Sequence, residues 1–225
     1  MTLVVLGIVF VGAVFGVRAL GELGRQPKAT AATSGTNIEL SAFPDGYVCH
    51  SGGFGLSDGG TNRSWVSYCP STSIRVPAHS TVTVTIKQYD TGDTVHNSFF
   101  SSVWGTVGGE MQLNGSPVAR VRPDDVGHTF TIQTPPDRRE TQLFVSVPLP
   151  GVAENAPNTE TIAGHRYPKP NVIVFRFRTG SPGRYVWHCY VPCGTGLAGD
   201  GPTGQAGFGG PMATTGYMAG TLTVT

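Results

Sequence analysis

Apolar residues alternate strictly with threonine in the segment Thr-Val-Thr-Val-Thr-Ile, where Val82, Val84 and Ile86 occupy every second position. Successive side chains of a β-strand point to opposite faces of a sheet, so this alternation predicts a strand with one buried face. The segment 172–178 repeats the pattern, with Ile and Phe on one face and Arg on the other. We expect a chain organised around such segments to form sheets rather than helical bundles.

Short apolar segments separated by turns recur along the rest of the chain. Further strand candidates are 97–103, 127–133, 143–147, 184–189 and 220–224. Gly (32) and Pro (17) are frequent among the 225 residues and supply turns such as Thr-Gly-Ser-Pro-Gly at 179–183. Seven or eight short strands joined in this way predict one all-β domain, a sandwich or barrel, over residues 38–225. Only 13% of residues are charged and the net charge is +1, which excludes the basic stripe that nucleic-acid binding needs.

The N-terminal segment is the most apolar part of the chain. Residues 3–17 contain no charged side chain, and the apolar character ends at Leu20. As a helix, residues 2–20 would span about 28 Å, just enough to cross a bilayer. We therefore expect a transmembrane anchor at residues 1–20, with a cleaved secretory signal as the competing interpretation. Residues 21–37 are rich in small and polar side chains, which predicts a flexible linker.

Cys49 and Cys69 bracket a Gly-, Ser- and Asn-containing segment with little core of its own. An oxidising compartment closes such a loop with a disulfide, which contributes around 3 kcal/mol in the loop-entropy model. Together, the predicted anchor at residues 1–20 and the predicted Cys49–Cys69 disulfide indicate a membrane-anchored globular domain on the extracytoplasmic side. Arg18, Arg25 and Lys28 follow the apolar segment and favour the opposite orientation by the positive-inside rule. One short segment is weak evidence, so the extracytoplasmic placement remains the expectation.

The C-terminal part carries the residues with metal chemistry. A candidate strand ends at Cys189, a loop with Cys193 follows, and Met218 lies where the last candidate strand begins. A thiolate and a thioether brought together by loops suit a soft metal ion such as copper. His128 lies at the start of the candidate strand 127–133 and could supply a nitrogen ligand from a neighbouring strand.

These segments resemble the cupredoxins over residues 74–225. The motifs that carry the resemblance are Val-Gly-His-Thr-Phe, Pro-Gly-x-Tyr-x-x-x-Cys and Met-x-Gly-Thr-Leu-Thr-Val. A closer resemblance is to the copper A domain of cytochrome c oxidase subunit II, of the short type with one N-terminal helix. Its loop has the form Cys-x-x-x-Cys-Gly-x-x-His-x-x-Met, and this chain matches the first half and the final methionine. The resemblance implies a cupredoxin-like Greek-key β-sandwich with one N-terminal transmembrane helix.

The resemblance also implies a set of copper ligands. They are His128 as a histidine ligand, Cys189 and Cys193 as thiolates, Val191 as a carbonyl donor and Met218 as a distal ligand. The second histidine of the family is missing, because no histidine follows His188. The copper is therefore expected to be either mononuclear or a modified dinuclear copper A centre.

Two other residues are candidates for the missing ligand. Met212 lies in the Gly-rich insertion of the loop, and His96 lies in a turn before an aromatic segment. His188 adjoins Cys189 on a strand, so its side chain is expected to point to the opposite face. Cys189 and Cys193 could instead form a disulfide, because three intervening residues let their Cα atoms approach within about 7 Å.

The resemblance implies a membrane-anchored copper electron-transfer protein or a subunit II-like component of a respiratory haem-copper oxidase complex. Its partners would be other subunits of that membrane complex and an electron donor such as a cytochrome c or a small copper protein. Two other functions stay open: a metal-free structural subunit with a Cys189–Cys193 disulfide, and a Cu(I) delivery protein. No nucleophile or activated-water motif is present, so catalysis by the chain alone is not expected. Its role in an oxidoreductase of the cytochrome c oxidase type would be electron entry.

Overall fold

Alternating segments pair into two sheets in a computed structural model that describes residues 33–44, 66–93, 95, 97–139, 141–153, 155–162, 165–191, 211–213 and 215–225. The strands of these residues are β1 (Thr33–Ser34), β2 (Asn37–Phe43), β3 (Ser67–Cys69), β4 (Ser73–Val76), β5 (Thr81–Gln88), β6 (Met111–Leu113), β7 (Ser116–Val118), β8 (Val126–Gln133), β9 (Phe144–Pro150), β10 (Thr159–Ile162), β11 (His165–Pro168), β12 (Asn171–Arg178), β13 (Gly183–His188) and β14 (Ala219–Val224).

Strands that are distant in the sequence lie side by side in both sheets. One sheet has the order β1-β4-β14-β13-β8-β9, the other has the order β3-β2-β5-β12-β6-β7, and β10 pairs with β11 alone. Most pairs are antiparallel, but β4 runs parallel to β1 and β14, and β2 runs parallel to β5. The predicted all-β class and sandwich architecture are confirmed. The candidates 127–133, 143–147, 172–178, 184–189 and 220–224 correspond to β8, β9, β12, β13 and β14.

The core fills the space between the two sheets with aromatic and branched side chains. Phe130 of β8 packs against Phe175 of β12, with ring centroids 5.9 Å apart, and so joins the two layers. Trp187 of β13 lies 4.7 Å from Phe130 and 5.1 Å from Tyr68 by ring centroids. All four side chains are almost fully buried. The alternation in 172–178 has the predicted effect, because Ile173, Phe175 and Phe177 are buried while Arg176 and Arg178 are exposed.

Two segments differ from the sequence-based expectation. The candidate strand 97–103 is wrong, since Ser98–Ser101 form a 3₁₀ helix. Its cause is local: the Asn97 side chain accepts a hydrogen bond from the Phe99 amide at 3.0 Å and caps the helix. Strand β1 lies inside the range 21–37 that was predicted as linker, and it pairs with β4 through Thr33 and Ile74.

The predicted anchor at residues 1–20 lies outside the described residues. Among the residues that the structure describes, no helix is long and apolar enough to cross a membrane.

Candidate metal centre

His128 lies near the start of β8, where the strand is covered on both faces. Its side chain is fully buried, and its Nδ1 atom is 3.9 Å from the Sγ atom of Cys189. A register shift between Val126 and His128 marks a bulge in the pairing of β8 with β9. Bulges re-aim side chains and are common beside functional sites. The predicted histidine ligand and the predicted thiolate are therefore neighbours.

Cys189 follows the end of β13 and is fully buried. Its side chain is a thiol rather than a disulfide. The sulfur accepts a hydrogen bond from the Thr129 amide at 3.4 Å and lies 3.6 Å from the Val191 carbonyl oxygen, to which the thiol donates. An amide aimed at sulfur stabilises its negative form. The carbonyl predicted as a donor thus lies beside the thiol predicted as a ligand.

Met218 immediately precedes β14 and lies next to Cys189 through the backbone. The Cys189 amide donates to the Met218 carbonyl at 3.1 Å, and the Met218 amide donates to the Pro211 carbonyl at 2.9 Å. The Met218 side chain is fully buried, and that of Met212 is 3% exposed. Both thioethers belong to the same core cluster as Cys189 and Val191. The structure therefore places His128, Cys189 and Val191 in direct contact, and the backbone hydrogen bonds of Met218 bring its segment and that of Met212 beside Cys189.

Several predicted site residues cannot be placed. His96, Cys193 and Cys49 lie outside the described residues. Cys69 is disulfide-bonded, which agrees with the predicted Cys49–Cys69 bridge as far as Cys69 is concerned. Within the described part of the chain, no group of three or more His, Cys, Asp or Glu side chains is placed to hold a metal. A metal would therefore need the methionines, or residues outside the described ones, to complete its ligand set.

Asp90 is a site residue that the sequence did not reveal. It follows β5, and its Oδ2 atom is 2.7 Å from the Nε2 atom of His128. Burial alone would lower the pKa of His128, but hydrogen bonds to Asp90 and Cys189 outweigh it and raise that pKa to about 9. For Asp90, burial alone would raise the pKa of the carboxyl group, and the hydrogen bond and charge of His128 outweigh it and lower that pKa. The only sequence signal was the Asp-Thr-Gly turn at 90–92, which indicates a loop and not a partner.

The donor atoms fit a thiolate-binding metal ion. Metal–nitrogen and metal–sulfur bonds of about 2.0 Å and about 2.3 Å put the two donors about 3.5–3.9 Å apart at an angle of about 110–130°. The observed 3.9 Å between His128 Nδ1 and Cys189 Sγ lies at the upper end of this range. Imidazole, thiolate and thioether together form the soft ligand set that suits copper. The described residues thus fit copper in donor type and in the spacing between His128 Nδ1 and Cys189 Sγ.

Aromatic side chains connect the surroundings of Cys189 with the surface. Tyr190 stacks on Phe100 with ring centroids 4.4 Å apart, and Phe100 contacts Phe99 at 5.2 Å. Phe99 stacks on Trp104 at 4.7 Å and approaches Phe144 at 6.1 Å. Phe99, Trp104 and Phe144 are the exposed large apolar residues among those described, at 40–41% each. We call these three residues the aromatic edge.

His188 lies on the opposite side of its strand from the Cys189 thiol environment, as the alternation predicted. Its ring contacts the ring of Tyr190 and lies 3.2 Å from the Gln133 side-chain amide nitrogen. The Tyr190 hydroxyl donates to the other amide atom, Gln133 Oε1, at 2.9 Å. Together these contacts hold the residues that flank Cys189 against the outer face of β8.

The fold and the site together define a class: a two-sheet β-sandwich with a buried histidine–cysteine pair and a buried methionine joined to the cysteine through the backbone. No protein-family model and no curated protein matches the chain. Solved structures with a partial similarity include auracyanin B, which is 18% identical in sequence. The alignment covers 90% of this chain and 96% of auracyanin B, with a TM-score of 0.29. The copper protein rusticyanin has 13% identity, 94% coverage of both chains and a TM-score of 0.33.

A third similar structure is the Cu-containing nitrite reductase from Thermus scotoductus SA-01. It is 14% identical, covers 92% of this chain and 33% of its own chain, and has a TM-score of 0.33. All three TM-scores are below 0.5, so these likenesses assign neither a metal nor a function to the chain.

Proposed function

We propose that the chain is a membrane-anchored, cupredoxin-like copper protein that transfers electrons. The observation that carries this proposal is the buried pair of His128 Nδ1 and Cys189 Sγ, 3.9 Å apart, with Met218 joined to Cys189 by a backbone hydrogen bond. His128, Cys189 and Met218 would hold the ion, with Val191 as a further donor. Bound there, copper would supply one-electron chemistry by alternating between its cuprous and cupric states.

The protein would contribute a dry and rigid site. His128, Cys189 and Met218 are all fully buried, so water has little access to the donors. The Thr129 amide donates a hydrogen bond to Cys189 Sγ at 3.4 Å. The Thr129 hydroxyl accepts a hydrogen bond from the Tyr190 amide at 2.8 Å. Ligands held by such contacts change position little when the charge of a bound ion changes, which favours fast electron transfer.

The aromatic edge would be the place where electrons enter or leave. The stack from Tyr190 through Phe100 to Phe99 and Trp104 joins the chain segment of Cys189 to solvent by ring contacts of 4.4–5.2 Å between centroids. Weak electron-transfer encounters use small contact areas. We propose a redox protein with an uncharged contact face as the occupant of this edge, because its three exposed members are all uncharged rings.

The proposal extends to the location of the chain and to its partners. We propose an extracytoplasmic domain tethered by residues 1–20, which is supported by the apolar segment and by the disulfide at Cys69. A subunit II-like role in a respiratory haem-copper oxidase is the finer form of the proposal. The electron donor would then be a cytochrome c or a small copper protein, and the acceptor another subunit of the complex.

A Cu(I) delivery protein is the second candidate. It is favoured by the burial of two thioethers, Met212 and Met218, in the core cluster of Cys189. Thioether and thiolate ligands select Cu(I). The metal-free structural subunit is less well supported, because Cys189 has a thiol and not a disulfide to Cys193.

Copper titration of the full chain under reducing conditions tests the proposal. We expect about one or two coppers per chain, a thiolate-to-copper absorption band after oxidation, and an electron paramagnetic resonance signal of a thiolate-bound copper. One copper identifies a mononuclear site, and two coppers sharing one unpaired electron identify a modified copper A centre.

His128→Ala should abolish the band, while His165→Ala, which removes an exposed histidine from β11, should leave it unchanged. Tight Cu(I) binding without a reversible coloured state would support the delivery protein. Absence of copper binding in any state would reject both copper functions.

A further inference from the structure

The imidazole ring of His128 lies between two acidic groups. Its Nε2 atom is 2.7 Å from the Asp90 carboxylate, and its Nδ1 atom faces the Cys189 sulfur at 3.9 Å. Asp90 is 8% exposed and His128 is fully buried. In the neutral ring, a proton on Nε2 that is donated to Asp90 leaves the lone pair of Nδ1 pointing towards Cys189. The carboxylate therefore selects the ring form that can bind a metal beside the thiolate.

The Asp90 carboxylate is held in place by its own surroundings. The Gly92 amide donates to Oδ2 at 2.8 Å. The backbone carbonyl of Asp90 accepts hydrogen bonds from the Val152 amide at 3.0 Å and from the Gln88 side chain at 3.2 Å. Contacts on both the side chain and the main chain fix the acceptor before any metal is bound, as a preorganised support for a ligand requires.

The turn that carries Asp90 is pressed against β8 with no space between the backbones. A Cβ atom at Gly92, where φ is +73°, would lie 2.2 Å from the Cα atom of Gly127. A Cβ atom at Gly151 would lie 2.0 Å from the Thr91 carbonyl oxygen. Glycines at these positions allow the turn to approach β8 and the end of β9 closely enough for the carboxylate to reach His128.

We propose that Asp90 is a positioning residue that acts on the bound copper through His128, a role that rests on the proposed function. A carboxylate that accepts the outer N–H of a metal-bound imidazole fixes the ring orientation and makes the ring a stronger donor. A stronger donor stabilises the more highly charged ion, so Asp90 favours Cu(II) over Cu(I). The residue thereby lowers the reduction potential of the centre.

The test compares three variants in the full chain. Asp90→Asn keeps the shape and an acceptor oxygen but removes the charge. Asp90→Ala removes both, and Asp124→Asn removes the same charge from an exposed position with no contact to His128. The measurements are the affinities for Cu(II) and Cu(I), the reduction potential by spectroelectrochemistry, and the thiolate absorption band.

We expect Asp90→Asn to weaken Cu(II) binding about tenfold relative to Cu(I), which equals a rise of about 59 mV in the one-electron potential. The thiolate band should persist, because His128 is still held by an oxygen atom. Asp90→Ala should lose about 10–100-fold in Cu(II) affinity and shift the band, because the ring is no longer oriented. Asp124→Asn should match the wild type in all three measurements.

Two outcomes overturn the proposal, and they are distinguishable. If the wild type binds copper and Asp90→Asn lowers only the unfolding temperature, with potential and affinity ratio unchanged, Asp90 is a structural ion-pair partner alone. If the wild type binds no copper, the proposed function fails together with this role. Thermal unfolding of the metal-free variants reports folding, and Asp90→Asn decides the test where Asp90→Ala fails to fold.

Discussion

Strands β8 and β12 each lie between two neighbours in their sheets and each place a phenylalanine in the contact between the sheets, but their outer faces differ. In β12, Phe175 and Phe177 face inward, and the outer face exposes Arg176 and Arg178. In β8, seven of the eight residues are buried, so both faces are covered. An ordinary strand of an antiparallel sandwich has one face in water, so the second face of β8 must be covered by other parts of the molecule.

The outer face of β8 is covered by a polar network and by aromatic rings. The Thr129 hydroxyl accepts from the Tyr190 amide at 2.8 Å, and the Thr131 hydroxyl is bonded to the Ser146 hydroxyl at 2.9 Å. Tyr190 lies over this face and stacks on Phe100 of the 3₁₀ helix. The residues on the outer face of β8 therefore hold the chain segment of Cys189 in place, whereas the outer face of β12 exposes Arg176 and Arg178.

The inner faces should behave alike, and this gives the largest expected effect. Phe130→Ala in β8 and Phe175→Ala in β12 should each lower the free energy of unfolding by about 3–5 kcal/mol, because each removes a buried ring from the contact between the sheets. Chemical denaturation of the metal-free chain measures both values. Because the rings touch, the double variant should lose less than the sum of the two single losses. A difference of several kcal/mol between the single variants would mean that the two inner faces are not equivalent.

Bound copper should stabilise the folded chain through ligands on the sheet that contains β8, and not through β12. At a free Cu(I) concentration of 100 times the dissociation constant, the gain in unfolding free energy is about 2.7 kcal/mol. Thermal unfolding with and without Cu(I) measures this gain. His128→Ala should remove most of it, while Arg178→Ala on the outer face of β12 should keep it. An equal gain in both variants would place the copper away from His128.

Substitutions on the outer faces of β8 and β12 should differ in how much they lower the free energy of unfolding. Thr129→Val preserves the shape of the side chain but leaves the partly buried Tyr190 amide without its acceptor, and it should lower the free energy of unfolding by about 1–3 kcal/mol. Arg176→Ala on β12 should change stability by less than about 0.5 kcal/mol, as exposed substitutions do. Denaturant midpoints of the two variants provide the comparison. Similar values for both would show that the cover of β8 adds no stability.

The sequence predicted the elements whose pattern is local. The strand β12 could be predicted because its faces meet different environments and its residues alternate accordingly. The proximity of Cys189 and Met218 could be predicted because both flank strands in a motif that resembles the cupredoxin pattern, and the structure joins them by a backbone hydrogen bond. Asp90 could not be predicted, since it lies 38 residues before His128 and meets it only through the packing of a turn on β8. The strand predicted at 97–103 is wrong for another reason. Its aromatic residues are typical of a strand, but the Asn97 cap favours a 3₁₀ helix.

The aromatic edge provides the smallest effect on stability and the sharpest test of electron exchange. Trp104 is 40% exposed and stacks on Phe99, so Trp104→Ala should leave copper binding and the reduction potential unchanged. Stopped-flow oxidation of a reduced cytochrome c should slow about tenfold, which equals a loss of about 1.4 kcal/mol in association or activation free energy. His165→Ala, on the separate β10–β11 pair, is the surface control. An oxidation rate that falls equally in Trp104→Ala and His165→Ala would contradict an entry point at the aromatic edge. Electrons would then reach the buried Cys189 thiol by a path other than the rings on the outer face of β8.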